Sequence, residues 1–141
     1  MKETNELMDA LNGSNNTKDL DKYLDQIDVI SVIPLDSHIK NLLKEKGMTP
    51  SGLIKASRIE RTYCYQILNG RKRPGRDKVL AIALALELTL DETQRLLAIA
   101  KEGVLYPKSR RDSVIIFALN NHYSLINTNL LLANYNEAEL N

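Results

Sequence analysis

The chain has no tryptophan and a single phenylalanine, Phe117, in 141 residues, so leucine, isoleucine, valine and alanine must build the core; that composition favours an all-helical one. Cys64 is the only cysteine, which excludes an intrachain disulfide and a cysteine-based metal site. Its place on the apolar face of a helical pattern marks it as a small core residue. The two histidines, His38 and His122, are far apart and lack a partner at i, i+4, so no metal is expected. No glycine-rich phosphate loop occurs, and no serine has a nucleophile-elbow context, so neither an enzyme nor a cofactor is expected. No run approaches the roughly 18 apolar residues that would span a bilayer. The first six residues, Met1 to Glu6, are too acidic and polar for a signal peptide. A soluble, cytoplasmic protein with no membrane partner is expected.

What the chain does have is charge segregated along its length. Its formal sum of +1 hides a front end, residues 1–36, where three lysines face eight acids for a net −5. Residues 55–78 instead hold Lys55, Arg58, Arg61, Arg71, Lys72, Arg73, Arg76 and Lys78 against Glu60 and Asp77, a net of +6. A basic middle points to a polyanion partner; the acidic front is either a solvated face or a cover for the basic face when that partner is absent.

Helical periodicity runs through most of the chain. Leu7, Met8 and Leu11 give a weak pattern that ends in Asn12-Gly13-Ser14-Asn15-Asn16, and Leu20, Tyr23, Leu24 and Ile27 give a better one. A helix over about Leu35–Lys46 turns Ile39, Leu42 and Leu43 inward and stops at Gly47. Thr49 caps a helix that starts with Pro50, which lacks the amide that the first turn leaves unpaired. After Ser57-Arg58-Ile59, a second short helix puts Cys64, Ile67 and Leu68 on one face. It turns Arg61, Thr62, Tyr65, Gln66 and Asn69 outward, places Tyr63 toward the core, and stops at Gly70. A basic loop, Arg71 to Arg76, follows. Residues 77–88 are apolar nearly all round, as expected of a central helix. Thr89 and Glu92 make a capping box for a helix that Gly103 ends. Beyond the break at Tyr106-Pro107, Ser109 opens a helix with Val114, Ile115, Phe117, Ala118 and Leu119, and Ser124 opens a last one with Leu125, Ile126, Leu130, Leu131 and Leu132. This hairpin has more apolar surface than it can bury alone, so it packs on the core or on a second copy.

Residues Leu53, Ile59, Cys64 and Ile67 at buried positions, then Asn69-Gly70-Arg71-x-Arg73-Pro74 and the apolar run from Val79 to Leu88, resemble the helix-turn-helix of phage-repressor-type regulators, the lambda repressor and Cro class. The pattern YQI-x-x-G-x-R-x-P-x-RDK, with ETQRLL and RRD further on, also resembles small bacterial helix-turn-helix proteins. Three residues depart from the family pattern. Pro50 stands where a phosphate-contacting Gln is usual, Ile54 where a small Ala is usual, and Arg58 where the turn usually has Gly.

The resemblance covers residues of about 35 to 100 and implies an all-α, lambda-repressor-like bundle over 35–103; charge and periodicity outside it give an acidic N-terminal helical arm over 1–34 and a C-terminal helical hairpin over 104–141. The resemblance also implies sequence-specific binding of double-stranded DNA by a bacterial or phage-derived transcriptional regulator, the second motif helix lying in the major groove. Arg61, Thr62, Tyr65 and Gln66 would then face base edges, and Asn69, Arg71 and Arg73 would lie near phosphates, with Lys55, Arg58, Lys72, Arg76 and Lys78 adding counterion release. The C-terminal helices would set a homodimer or meet a protein partner. The departures at Pro50, Ile54 and Arg58 leave open a protein interaction module on the same fold that no longer binds DNA.

Overall fold

Every helix in the computed structural model, which describes residues 33–141, begins where the sequence supplies a cap or a proline and ends in a left-handed residue. Among the described residues there are seven helices and no strand: α1 (Leu35–Lys46), α2 (Pro50–Ser57), α3 (Arg61–Leu68), α4 (Arg76–Ala85), α5 (Leu90–Ile99), α6 (Arg110–Asn120) and α7 (Leu125–Asn134). The fold is the lambda-repressor-like helix-turn-helix bundle, all-α, extended by the α6–α7 hairpin. The two helical patterns expected in the acidic arm lie outside the described residues.

Oxygens from side chains satisfy amides that helix starts leave unpaired. Thr49 Oγ1 accepts from Gly52 N at 3.1 Å, with Pro50 as the first residue of α2. Thr89 and Glu92 bond reciprocally at the head of α5, and Ser109 and Ser124 cap α6 and α7. The closures are more unusual. Gly47, Arg58, Gly70, Glu87, Lys101, His122 and Asn136, one just past each helix, all have φ between 53° and 76°. Six of the seven turns pair the amide after the left-handed residue with a carbonyl five residues back, as Leu88 N does with Ala83 O at 3.0 Å. Glycine supplies the conformation at Gly47 and Gly70 alone. Gly103, expected to stop α5, does not: the helix closes earlier, with Lys101 at φ 58° and its amide on Ala98 O. At Gly70 two constraints coincide, since an added Cβ would also lie 3.3 Å from the Asp36 carboxyl carbon.

The core is centred on α4. Val79 through Ala85 are all buried, because α2, α5 and α7 pack around that one helix. α1 and α3 close one side with Ile39, Leu42, Leu43, Cys64, Ile67 and Leu68, and Ile115, Ala118, Leu119, Leu125 and Leu132 of the hairpin join the same cluster. Burial of each such leucine or isoleucine contributes roughly 1.5–3 kcal/mol. The hairpin therefore shares the core, and Pro34–Asn141 form one unit. Its outer side stays exposed at Phe117, Ile126 and Leu130.

Polar side chains dock the hairpin at its near end. Arg76 and Asp77 open α4, Arg111 and Asp112 lie in the first turn of α6, and each arginine takes the other pair's aspartate. Arg76 Nη1 and Nη2 donate to the Asp112 carboxylate at 3.0 and 2.8 Å, and Arg111 Nη1 and Nη2 to Asp77 at 3.1 and 3.0 Å. The remaining donors reach carbonyls: Arg76 Nε that of Gly103 at 2.8 Å, Arg111 Nε that of Ala138 at 2.9 Å. The linking segment is pinned by Gln94, whose amide pairs with both the N–H and the C=O of Leu105 at 2.7 and 2.9 Å.

Burial acts to raise the Asp77 and Asp112 carboxyls, but the hydrogen bonds from Arg111 and Arg76, with amides of Asn141 and Tyr106, outweigh it, and both titrate below their ordinary 3.8. Since folding lowers these values, the stabilisation is complete above the unfolded value and is lost as pH falls through the folded ones. Asp112→Asn should therefore cost about 2–4 kcal/mol at neutral pH by urea unfolding, because it leaves the Arg76 charge half-buried without its partner. The variant should also lose stability less steeply than the wild type below about pH 4. Arg58→Gly should act oppositely, raising stability by about 0.5–1 kcal/mol through relief of the left-handed arginine, as read by the same unfolding midpoint.

Candidate nucleic-acid interface

The local sequence explains why α3 has one dry and one wet face. Cys64, Ile67 and Leu68 are spaced to point inward and are at most 4% exposed. Burial pushes the Cys64 thiol up, so the sulfur stays protonated in the core. Between those positions Arg61, Thr62, Tyr65 and Asn69 are exposed and Gln66 is half-buried. The Arg61 guanidinium carbon lies 5.6 Å from the centre of the Tyr65 ring, a cation–π distance that holds two outward side chains together. Tyr63 is half-buried against the core, with Lys78 Nζ 5.7 Å from its ring centre and its hydroxyl donating to Arg73 O at 3.4 Å.

The head of α3 is set by Glu60. Its Oε1 accepts from Thr62 N at 3.0 Å and its Oε2 from Tyr63 N at 2.8 Å. Those amides, Tyr63 first, hold the carboxyl below its ordinary 4.5. Glu60 escaped the sequence reading, which counted it only as a minor acid in a basic stretch. The usable signal was an acid one residue before a helix start.

The tail of α3 leads straight into the basic loop. Gln66 O accepts from the amides of Arg71 and Lys72 at 2.9 and 3.2 Å, so the chain turns tightly and leaves both side chains exposed. Buried Pro74 anchors the loop beyond them. Arg73 is exposed, yet its Nη2 donates to Ala100 O at 3.1 Å, at the end of α5. Arg76, expected in the DNA-binding set as a source of counterion release, is bonded within the protein instead. Its guanidinium is held by Asp112, Gly103 and Val104 inside the protein, so its charge is neutralised and its donors are occupied. Charge alone put it in the site; the partner lies 36 residues further on.

Lys55 and Arg58 are exposed on the other side of the turn, and Pro50, at the head of α2, offers neither an amide nor a side-chain donor. Ile54 is half-buried and packs against the core, so the larger side chain is absorbed there. His38 is half-buried; burial, then the charge of Arg95, lowers its pKa against the opposing pull of Glu45. His122 closes α6 at φ 56°. Among the described residues no group of three His, Cys, Asp or Glu could hold a metal ion, and no helix is long and apolar enough to cross a membrane.

A family model described as helix-turn-helix matches residues 39–92, from the middle of α1 to the start of α5. No curated protein and no solved structure matches the chain. The matched stretch contains α2, the turn and α3 entire. Residues 39–92 thus carry a helix-turn-helix, the kind of domain used for DNA binding in transcription regulation.

Proposed function

We propose that the protein regulates transcription by binding a specific sequence in double-stranded DNA, with α3 in the major groove. The observation that carries this reading is a single exposed face on which Arg61, Thr62, Tyr65, Gln66 and Asn69 of α3 and its cap stand beside the side chains of Arg71 and Lys72. The first four have hydrogen-bonding or stacking groups suited to base edges, and the loop cations suit phosphates. Arg73 contributes with the donors that Ala100 leaves over. Arg76 does not contribute directly; it fixes the loop from behind.

These roles separate in a salt titration of anisotropy on selected and scrambled duplexes. Arg61→Ala should relax preference at one base pair, by about 1–3 kcal/mol. Arg71→Ala should weaken binding to every duplex and flatten the salt slope by about one unit. Both variants binding as the wild type does would sink the reading.

The same proposal assigns the outer ridge of the hairpin to a second copy of the chain. Phe117, Ile126 and Leu130 are 50%, 51% and 58% exposed. Beside them is a groove of about 680 Å³ between α6 and α7, lined by Val114, Phe117, Tyr123 and Leu131 among others. Exposed apolar surface of this kind is a common interaction site. Leu130→Glu should shift the species seen by sedimentation equilibrium from dimer to monomer without changing the melt; a monomeric wild type would remove the assignment. A second reading, a protein interaction module without DNA binding, draws on this ridge together with the donor-free Pro50, and predicts no duplex binding even at low salt.

A further inference from the structure

An exposed acid at the tip of a DNA-reading helix is unfavourable unless it meets something specific. Glu60 is such an acid. Between residues 55 and 78 the only other acid is Asp77, which Arg111 neutralises, whereas Glu60 is exposed and makes no ion pair among the described residues. The cap itself does not require glutamate, since serine, threonine, asparagine and aspartate are the preferred residues there and two of them carry neither charge nor amide. A carboxylate on this face repels phosphates and weakens non-specific binding. It is also rigidly placed, because one oxygen is held by Thr62 N and the other by Tyr63 N. Each oxygen has a second acceptor site. Contact with a donor ahead of the helix therefore leaves the cap intact.

The major groove offers such donors selectively. Cytosine presents its N4 amine with no acceptor beside it; guanine presents N7 and O6, and thymine O4, all of which a carboxylate repels. Adenine has the N6 amine, but its N7 lone pair lies next to it and opposes the second carboxylate oxygen. Residues at the N-terminus of the recognition helix are those that reach base edges. We infer that Glu60 is a specificity-determining residue that selects cytosine at one position of the bound duplex. The inference rests on the DNA-binding reading above and deepens it.

The test is selection from duplexes with a randomised core, at one fixed salt concentration, using the full chain as wild type, Glu60→Ser and Glu60→Gln. Serine keeps the cap and removes the charge, and a melt close to that of the wild type establishes that the variant is folded. The wild type is expected to enrich cytosine at one fixed position. Glu60→Ser should lose that preference alone, by roughly tenfold, while binding scrambled duplex more tightly than the wild type does. Glu60→Gln, with an amide that can meet both N6 and N7, should move the preference toward adenine. A Glu60→Ser motif identical to that of the wild type overturns the inference and leaves DNA binding standing. A wild type that retains no duplex at low salt overturns the DNA reading, and the inference with it.

Discussion

Two ion pairs, made by two copies of the same dipeptide, hold this structure in register. Arg76-Asp77 at the head of α4 meets Arg111-Asp112 at the head of α6, and each arginine is bonded to the aspartate of the other pair. Both helix heads are positive ends of backbone dipoles and would repel if brought together bare. Each aspartate lies in the first turn of its own helix, where it offsets that charge, and then accepts the opposing guanidinium. The arrangement is fork-to-carboxylate on both sides, the geometry in which an arginine is most effective. Because α4 begins directly after the basic loop, whatever fixes its head fixes the loop.

The left-handed closures decide how compact that arrangement is. A residue near φ 55° folds the chain back within one turn, so successive helices pack without long connections. Glycine would do this most easily, yet Arg58, Glu87, Lys101 and His122 carry the conformation with full side chains. Three of those four, Arg58, Glu87 and His122, border one groove between α2, the end of α4 and the start of α7. All four are exposed, so each reversal turns its side chain to solvent.

Periodicity made the helices and the two faces of α3 legible, since inward positions at Cys64, Ile67 and Leu68 leave few alternatives for Arg61, Thr62 and Tyr65. Glycine made two of the stops legible. Gly47 and Gly70 mark real ends, but the end of α5 lies at Lys101, a residue whose type says nothing about φ. Arg76 could not be placed, because a net charge over 55–78 does not reveal a partner at Asp112. The doublet was visible as a repeated Arg-Asp, but only packing tells which arginine meets which aspartate. Glu60 was hidden for the converse reason: its role depends on backbone amides, which no charge sum counts.

These contacts reduce the electrostatic footprint that the composition suggests. Of the eight cations between residues 55 and 78, Arg76 is neutralised by Asp112, Lys78 rests on the Tyr63 ring, and Arg73 has part of its fork on Ala100. Arg61 is held against Tyr65 on the exposed face of α3. Lys55, Arg58, Arg71 and Lys72 remain exposed without a bonded partner among the described residues. Counterion release scales with the cations that meet phosphates, so non-specific affinity should follow four or five charges rather than the eight present. The others serve geometry. Arg73 holds the loop at its middle and Arg76 at its far end, and Tyr63 ties the Arg73 carbonyl to α3. Under the DNA binding proposed above, a helix on so fixed a mount would lose little conformational freedom on binding, which would favour discrimination between sequences over attraction to all of them.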